Sequence, residues 1–323
     1  NNLNMTKILA NDGISKSGID ALNLKGFTVE TEHVLQNDLI EKINNENYEV
    51  LLVRSATKVR KEIIDACPNL KIIGRGGVGM DNIDVEYARK KGIHVINTPA
   101  SSSVSVAELV FAHLFGMVRF LFDSNRKMPL SGDKDFKLLK KSYSNGRELY
   151  GKIIGIIGFG RIGQEVAKKA IGIGMKVLAH DKLIKEANVT LDFYNGEKKS
   201  FTIETNSLDE VLKKSDFITV HVPKTGKDSI IGATEIGKMK TGAGIINTSR
   251  DGVIDETALM FALDKHKLAY AGLDVFENEP EPSIHICMHN AISLSPHIGA
   301  ATIEAQERIG EELASQIIAH IEK

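Results

Sequence analysis

A short apolar run that ends in three glycines and continues as a helix lies in the middle of this chain. Residues 152–170 read KIIGIIGFGRIGQEVAKKA, with Gly158, Gly160 and Gly163 following the strand-like segment IIGII. The first glycine permits a tight turn, the second lets the backbone approach a pyrophosphate, and the third lets helix and strand pack closely. Free N–H groups at the start of the helix favour phosphate oxygens. The segment therefore predicts a site that holds a dinucleotide.

An acidic residue after the next strand-like run indicates which dinucleotide is bound. Asp181 lies 18 residues after Gly163, near the spacing of about 20 expected of a carboxylate that hydrogen-bonds the adenine ribose. A 2′-phosphate at this position would meet like-charge repulsion. The pattern favours NAD over NADP, although the nearby Lys182 and Lys185 would soften the discrimination. A purely structural glycine turn is the alternative, and the strand, helix and carboxylate together argue against it.

Strand-like runs alternate with helix-length amphipathic segments along most of the chain, in two series. Such alternation is typical of βαβ units, which form mostly parallel sheets. The sequence therefore predicts an α/β fold with two doubly wound parallel-sheet domains. The first series has about five runs and the second has six: 7–12, 27–32, 48–55, 70–77 and 94–99, then 152–160, 175–181, 216–223, 243–250, 270–276 and 291–297.

The region between the two series begins with a long apolar segment. Residues 105–122, SVAELVFAHLFGMVRFLF, have the pattern of a packing helix. Residues 123–149 are polar, turn-rich and weakly periodic, which predicts a connecting arm. Because apolar residues surround the helix too fully for one buried face, we expect a homodimer in which the helix and the arm pack against a partner.

Two further segments have simple patterns. Residues 189–205 alternate around Asn195 and Gly196, a pair that commonly turns a β-hairpin, so we expect a hairpin at the surface. Residues 301–323 have apolar positions at helical spacing and no strand after them, which predicts a closing helix.

Composition excludes several classes of protein. Lys and Arg number 41 against 42 Asp and Glu, and this net charge of −1 provides no global basic field for nucleic acid or an anionic membrane. Cys67 and Cys287 form no CxxC pair, and no apolar stretch reaches the roughly 20 residues that span a bilayer. The chain also lacks a signal-peptide pattern at its start. These features favour a reducing cytoplasm.

One group of side chains deserves comparison with a metal site. His285, Cys287 and His289 occupy alternate positions and would face one way in a strand. A fourth ligand is not evident, so we favour a loop and expect no metal.

Side chains that follow the later strands are the candidates for chemistry, because ligands of doubly wound sheets bind at the carboxyl ends of strands. Arg250 offers a planar, charged fork that suits a carboxylate. Glu279 and His297 follow the last two strands, and a histidine held by a carboxylate is a proton carrier near neutrality. His221 competes with His297, but its strand comes early after the glycine turn, which favours contact with the dinucleotide. The alternatives are ion-pair, loop and packing roles.

Two arginines of the first series are candidates for substrate binding. Arg54 and Arg75 follow apolar strands, where bidentate contacts to a phosphate would select a doubly anionic substrate. A strand-end ion pair is the alternative for either one.

Four motifs, in this order and spacing, resemble the family of D-isomer-specific 2-hydroxyacid dehydrogenases: GFGRIG with Asp181, NTSRDG, DVFENEP and SPHIGAAT. The resemblance covers nearly the whole chain. VRSAT at 53–57, GRGGVGMDNID at 74–84 and NTPASSSVSVAEL at 97–109 are most similar to the D-3-phosphoglycerate dehydrogenases of that family.

The resemblance implies a Rossmann NAD-binding domain, residues 101–297, inserted into a flavodoxin-like substrate-binding domain, residues 1–100 plus 298–323. It implies NAD-dependent oxidation of a D-2-hydroxy acid to its 2-oxo acid, or the reverse. The favoured substrate is 3-phosphoglycerate, which would place the protein in serine biosynthesis. Because the sequence stops after its closing helix, we expect no C-terminal regulatory domain.

The resemblance also implies residue roles. Arg250 would orient the 2-hydroxy acid, and His297 would exchange the hydroxyl proton while Glu279 holds and tunes its imidazole. Cofactor contacts are expected from Val106, Gly158, Gly160, Arg161, Ile162, Gly163, Asp181, His221, Val222, Pro223, Thr248, Ser249, Asp274, Gly299 and Ala300. Substrate contacts are expected from Arg54, Ser55, Arg75, Gly76 and Gly77.

Two other functions are compatible with the same motifs. One is a glyoxylate or hydroxypyruvate reductase. The other is a dinucleotide-sensing regulator on this fold, which loss of a catalytic residue or added interaction tails would indicate, and the sequence has neither feature.

Overall fold

The computed structural model of the protein describes residues 6–226 and 228–321. The chain divides into two compact units. The first contains the residues up to Ser103 together with those from Ala300 onward, and the second is Val104–Gly299. The chain therefore completes the second unit before it returns to the first.

The first unit is a five-stranded parallel sheet flanked by helices. Its elements, before the chain leaves it, are β1 (Lys7–Ala10), α1 (Lys16–Leu24), β2 (Thr28–Glu30), α2 (Leu39–Glu46), β3 (Val50–Val53), α3 (Lys61–Ala66), β4 (Ile72–Arg75), α4 (Val85–Lys90) and β5 (His94–Asn97). The strand order is β2-β1-β3-β4-β5, so the winding reverses between β1 and β3. This is the flavodoxin-like order. β3 is buried along its whole length, as expected where helices cover both faces.

The helix Ile303–Ile321 returns to the first unit and packs against α1. A Cβ added at Gly18 of α1 would lie 2.8 Å from the carbonyl oxygen of Gly310, so the two glycines let the helix backbones approach closely. Ala314 and Ile317 join the buried cluster that covers one face of the sheet. The predicted closing helix is confirmed.

The second unit contains a six-stranded parallel sheet. Its elements, of which the first begins one residue before the unit itself, are α5 (Ser103–Val118), α6 (Leu121–Ser131), α7 (Phe136–Ser142), β6 (Ile153–Ile157), α8 (Arg161–Gly172), β7 (Lys176–His180), β8 (Glu186–Asp192), β9 (Lys198–Glu204), α9 (Leu208–Lys214), β10 (Phe217–Val220), α10 (Ala233–Lys238), β11 (Ala243–Asn247), α11 (Glu256–Asp264), β12 (Leu268–Leu273), α12 (Ile284–Met288) and β13 (Ile292–Leu294). The strand order is β13-β12-β11-β10-β6-β7, and the winding reverses between β6 and β10. The predicted α/β class with two doubly wound parallel sheets is confirmed.

The linking region differs from its prediction. The apolar helix ends at Val118, Phe120 has a φ of 56°, and the segment expected to be an irregular arm forms α6 and α7. α6 contains Pro129 and has no buried residue, so the sequence carried no apolar stripe by which to recognise it. In the described parts of the chain, no single helix is long and apolar enough to cross a membrane. Among the described helices, α5 and α6 reach that length and apolarity only when they are taken together, and they are bent by 57° relative to each other.

Two smaller predictions have different outcomes. The hairpin is confirmed as the antiparallel pair β8 and β9, and it lies only partly at the surface, because Val189 is fully buried in the cluster that includes α8. The segment with His285, Cys287 and His289 is not a strand, because residues Ile284–Met288 form the short helix α12. Alternate side chains of a helix diverge, and among the described residues no three His, Cys, Asp or Glu side chains form a metal-binding group.

Candidate active site

The last paired residues of all six strands in the second unit lie in one row. The pairs along this row are His180 with Ile157, Ile157 with Val220, Val220 with Asn247, Asn247 with Leu273, and Leu273 with Leu294. The next residues emerge together at the carboxyl edge, in the spatial order Asp181, Gly158, His221, Thr248, Asp274 and Ser295. Neighbouring strands lie about 4.8 Å apart, so a ligand that reached from Asp181 to Asp274 would extend over about 19 Å.

The glycine turn beside the winding reversal has the shape that a pyrophosphate needs. Gly158 has a φ of +94°, and a Cβ there would lie 2.4 Å from the carbonyl oxygen of His221. A Cβ at Gly163 would lie 2.2 Å from the carbonyl oxygen of Gly158, so only glycine allows α8 to start this close to the turn. Gly160, in contrast, faces open space with no atom within 4 Å of an added Cβ. The turn is therefore tightly packed at Gly158 and Gly163 and open at Gly160.

Two buried polar atoms along the same row have no hydrogen-bond partner within the described chain. They are Nδ1 of His221 and Oγ1 of Thr248. Buried polar groups are nearly always paired, so such atoms indicate an absent ligand or water. With the open side of Gly160 and the first turn of α8, they fit a dinucleotide lying along this edge.

Asp181 closes the far end of the row. Its Oδ2 accepts a hydrogen bond from Phe159 N at 2.7 Å, and its Oδ1 accepts from Leu183 N and Ile184 N at 2.8 and 3.0 Å. Burial would raise the pKa of Asp181, but these three hydrogen bonds outweigh it and hold that pKa below its ordinary value. The carboxylate is thus held ionised and in fixed orientation, with one lone pair of Oδ2 remaining for a ribose hydroxyl.

His221 is not suited to carrying a proton. Burial lowers the pKa of His221 to about 3, so the ring is neutral and a weak base near neutrality. Its Nε2 lies 2.9 Å from Oγ1 of Thr219. The ring is positioned to contact a ligand along the row rather than to exchange protons with it.

His297 and Glu279 form a pair at the other end of the row. Nδ1 of His297 lies 2.8 Å from Oε2 of Glu279, and Oε1 of Glu279 accepts a hydrogen bond from Phe276 N at 3.0 Å. The carboxylate is therefore held by the loop after β12, and it fixes the imidazole in turn. The His297 side chain is 50% exposed, and Glu279 occupies Nδ1, so Nε2 is the ring nitrogen that remains for a ligand.

Asp274 organises the turn that carries His297. Its Oδ1 accepts from Ile298 N at 2.8 Å and from the Ser295 hydroxyl at 2.6 Å, and its Oδ2 accepts from Gly299 N at 2.8 Å. Asp274 is only 1% exposed. Its carboxylate was expected to contact the nucleotide, and its described hydrogen bonds are to the Ser295 hydroxyl and to the backbone beside His297.

Arg250 lies on a turn that the hydrogen bonds of the Asn247 side chain stabilise. Oδ1 of buried Asn247 accepts from both the N–H and the hydroxyl of Ser249, and Nδ2 of Asn247 donates to the carbonyl oxygen of Arg250 at 2.8 Å. Nη1 of Arg250 donates to the carbonyl oxygen of Ser249 at 2.7 Å. Sequence reasoning missed Asn247, although an amide at the end of an apolar strand is a typical turn signal.

The remaining residues expected at the cofactor lie on α5, at the start of α8, in the turn after β10 and where the chain re-enters the first unit. Val106 is buried on α5, and a Cβ at Gly299 would lie 3.4 Å from its side chain. Arg161 and Ile162 start α8, Val222 and Pro223 follow His221, and Ala300 is the residue at which the chain re-enters the first unit.

In the first unit, Arg54 and Ser55 lie on a loop that two polar side chains hold in place. Oδ2 of Asp12 accepts from Arg54 N and Thr57 N at 2.7 and 3.0 Å. Nδ2 of Asn82 donates to the carbonyl oxygens of Arg54 and Thr57, each at 2.7 Å. Asp12 and Asn82 were also missed by sequence reasoning.

The glycine pair after β4 lies beside the side chains of Arg54 and Arg75. A Cβ at Gly76 would lie 3.6 Å from the Arg54 side chain, and a Cβ at Gly77, which has a φ of +146°, would lie 2.0 Å from Nη1 of Arg75. The two arginine side chains therefore flank one turn at the carboxyl edge of this sheet.

Comparison with known protein families shows which family this chain belongs to. Residues 111–299 match the family described as D-isomer specific 2-hydroxyacid dehydrogenase, NAD binding domain. The chain belongs to this family. The matched residues lie within the second unit, whose sheet carries the glycine turn and Asp181 at its carboxyl edge.

Individual relatives of this dehydrogenase carry two different names. Hydroxypyruvate reductase of Thermotoga maritima is 42% identical over 318 residues, which cover 96% of this chain and 97% of that protein. D-3-phosphoglycerate dehydrogenase of Methanocaldococcus jannaschii is 40% identical over 315 residues, which cover 97% of this chain and 57% of that protein. The chain thus spans little more than half of the second relative.

A solved structure of similar fold contains the cofactor. The NAD+-bound 3-phosphoglycerate dehydrogenase of Entamoeba histolytica is 28% identical and has a TM-score of 0.77, with 99% of this chain and 96% of that chain covered. Because the relatives differ in name, membership of the family leaves the substrate to be argued from the residues of the site.

Proposed function

We propose that this dehydrogenase interconverts a D-2-hydroxy acid and its 2-oxo acid with NAD, and that its substrate is 3-phosphoglycerate, which it oxidises to 3-phosphohydroxypyruvate. The observation that carries the reaction type is the 2.8 Å contact between His297 Nδ1 and Glu279 Oε2, on the same sheet edge as the glycine turn. An imidazole that is paired with a carboxylate and lies beside a dinucleotide can transfer a proton while a hydride passes between substrate and cofactor.

The pairing with Glu279 assigns the two nitrogens of His297. A carboxylate only accepts hydrogen bonds, so Nδ1 of His297 carries the proton that is donated to Glu279. In the neutral ring Nε2 then has a free lone pair and accepts the hydroxyl proton of the substrate. The glycine turn, the first turn of α8 and Asp181 would hold NAD, which would supply the acceptor for the hydride of the substrate C2. In the reverse direction Nε2 returns the proton to the oxygen of the 2-oxo acid.

Arg250 supplies orientation rather than proton transfer. Its guanidinium would grip the carboxylate of the substrate with two parallel hydrogen bonds. The buried Asn247 amide, which ties down the turn carrying Arg250, keeps that grip in place.

The choice of a phosphorylated substrate rests on the first unit, which we propose is the substrate-binding domain. Arg54 and Arg75 flank the Gly76–Gly77 turn, and two guanidinium groups at one turn suit a doubly charged phosphate. Serine biosynthesis, a cytoplasmic location and a homodimer belong to the same proposal. Leu130, Phe136 and Leu138 on α6 and α7 are exposed, and apolar side chains gathered on one surface segment are typical of protein–protein contacts.

Hydroxypyruvate reduction is the second candidate. The relative with that name is 42% identical and is matched over 97% of its length. A regulator without turnover is less well supported, because Arg250, Glu279 and His297 are all present.

A substrate panel tests the choice. We expect higher kcat/KM for 3-phosphoglycerate and 3-phosphohydroxypyruvate than for glycerate, lactate, hydroxypyruvate and glyoxylate. Arg54→Gln and Arg75→Gln should each raise KM for the phosphorylated substrate about tenfold or more, because a bidentate phosphate contact is lost. Arg60→Gln is the control, since Arg60 pairs with Asp84 at 3.0 Å on the surface of the same unit. Preference for unphosphorylated hydroxypyruvate would favour the second candidate.

Substitution of the pair tests the mechanism. His297→Gln should keep NADH affinity nearly intact and lower kcat at least about 10²-fold, the low end of general acid–base contributions. Glu279→Gln should lower kcat by a smaller factor, because it removes the carboxylate that holds Nδ1 of His297 but keeps an acceptor oxygen at that position. His285→Gln, at an exposed histidine of α12, is the control. Near-normal turnover by His297→Gln would contradict the assignment.

A further inference from the structure

A buried histidine on α5 joins the network behind the candidate catalytic turn. Nδ1 of His113 lies 2.8 Å from the Ser293 hydroxyl, and its Nε2 lies 3.0 Å from the Ser295 hydroxyl. His113 is 4% exposed, and both serines are also buried. Ser295 in turn donates to Asp274, which accepts from the backbone N–H groups of the two residues after His297.

The sheet makes room for this ring. A Cβ at Gly272 of β12 would lie 3.0 Å from the Cβ of His113 and 3.1 Å from its Cγ. Gly272 pairs with Ser293 on β13, and Ser295 follows two residues later on the same face. The His113 side chain therefore occupies the space that a side chain at Gly272 would need, and its ring contacts both serine hydroxyls.

Hydrogen-bond counting fixes the direction of each link. The single hydroxyl proton of Ser295 is donated to Oδ1 of Asp274 at 2.6 Å, so Ser295 can only accept from His113, and Nε2 of His113 must carry a proton. Burial lowers the pKa of His113, against the opposing effect of the Asp274 charge, so the ring is neutral. Its Nδ1 is then an acceptor, and the Ser293 hydroxyl donates to it. Every donor in this network of hydrogen bonds therefore points towards Asp274.

The network of hydrogen bonds ends at His297, whose backbone is strained. His297 has a φ of 53°, a left-handed conformation that is unfavourable for a residue with a side chain. Such a conformation persists only where its surroundings hold it. Asp274 does so through Ile298 N and Gly299 N, and the orientation of Asp274 depends on its bond from Ser295.

We propose that His113 is a positioning residue for His297, acting through Ser295 and Asp274. The inference rests on the proton-carrier role proposed above for His297. His113 neither contacts the substrate nor exchanges a proton with it. As the Nε2–H tautomer it fixes the Ser295 hydroxyl, which keeps the Asp274 carboxylate aligned with the backbone that carries His297.

Three variants on α5 separate positioning from simple packing. His113→Leu removes both ring contacts and should lower kcat about tenfold while NADH affinity stays within about twofold. His113→Gln places an amide N–H donor near the position of Nε2 and should restore kcat to within about threefold of the wild type. Val110→Ala, one turn earlier and fully buried, is the packing control, and it should lower the melting temperature without lowering kcat. Equal kcat in His113→Leu and Val110→Ala would overturn the proposal.

Nitrogen NMR of histidine-labelled protein gives a readout that does not need turnover. We expect the His113 ring to report Nε2–H at neutral pH, with the His297 ring signals displaced in His113→Leu and restored in His113→Gln. The Nδ1–H tautomer at His113, or unchanged His297 signals in His113→Leu, would refute the inference. If the wild type turned over none of the acids tested, the proposed function would fail, and these signals would still decide the positioning role.

Should His113→Leu not fold, Ser295→Ala breaks the next link and leaves the imidazole in place. We expect the same displacement of the His297 signals and a similar fall in kcat. Wild-type signals and kcat in a folded Ser295→Ala protein would overturn the proposal.

Discussion

A methyl group added at Gly160 separates the two tasks of the glycine turn, which are to fold and to bind. An added Cβ at Gly160 meets no atom within 4 Å, whereas one at Gly163 would lie 2.2 Å from the carbonyl oxygen of Gly158. Gly160→Ala should therefore leave the fold intact and fill the space that a pyrophosphate needs. Gly163→Ala should disturb the fold itself.

The magnitudes follow from these contacts. The contact at Gly163 is about 1.2 Å shorter than an ordinary van der Waals contact of about 3.4 Å, and overpacking of this kind costs about 1–3 kcal/mol of stability. For Gly160→Ala we expect a change in stability below about 1 kcal/mol, since the residue is only the N-cap of α8. Its dissociation constant for NADH should rise at least about tenfold, which is about 1.4 kcal/mol of lost binding.

Fluorescence titration with NADH and urea unfolding measure the two effects. Gly172→Ala is the matched control, because it lies at the last residue of the same helix and also faces open space. It should bind NADH like the wild type and be slightly more stable, as alanine is favoured over glycine in helices. Wild-type NADH affinity in a folded Gly160→Ala protein would refute the placement of the pyrophosphate at this turn.

Three further predictions concern cofactor choice, assembly and pH. Turnover should favour NAD over NADP by orders of magnitude, and Asp181→Ala should narrow the gap by relieving repulsion of a 2′-phosphate; equal efficiencies in the wild type would contradict this. Sedimentation should give a dimer at micromolar concentration, weakened by Leu130→Glu at an 81% exposed position of α6; a stable wild-type monomer would exclude it. The pKa of His221 is about 3 when folded and 6.5 ordinarily, so the unfolded chain binds its proton first as pH falls. Stability should therefore drop by about 2 kcal/mol between pH 7 and pH 5, and His221→Asn should reduce this drop in urea unfolding, whereas an undiminished drop would contradict the burial of a neutral ring.

The strands were predictable from sequence because each is a short apolar run bounded by turn residues. All eleven predicted runs became strands of the two parallel sheets, since strands covered on both faces need continuous apolar side chains. α6 was not predictable in the same way. None of its residues is buried within the chain, so no periodic stripe distinguished it from an irregular arm.

The residues that hold the candidate site were harder to predict than those expected to do the chemistry. Arg250 and His297 follow strands in motifs that indicate function by themselves. Asn247, Asp12 and His113 act on neighbours that are distant in sequence or on turns whose shape only the fold defines; His113 and Ser295, for example, lie 182 positions apart. Hydrogen bonds of this range leave no local pattern, so sequence reasoning could not pair them.

His221 and His297 are both histidines near the carboxyl edge of one sheet, and their surroundings assign them different tasks. His221 follows a central strand beside the glycine turn, where burial lowers its pKa to about 3 and leaves a neutral ring with an unpaired nitrogen for a ligand. His297 follows the edge strand β13, where its side chain is half exposed and Glu279 pairs with it. A proton carrier needs both access to the substrate and stabilisation of its charged form, and only the position beyond the edge strand provides the two together. The strand order, with β13 outermost and β10 next to β6, therefore favours His297 over His221 as the acid and base of the proposed reaction.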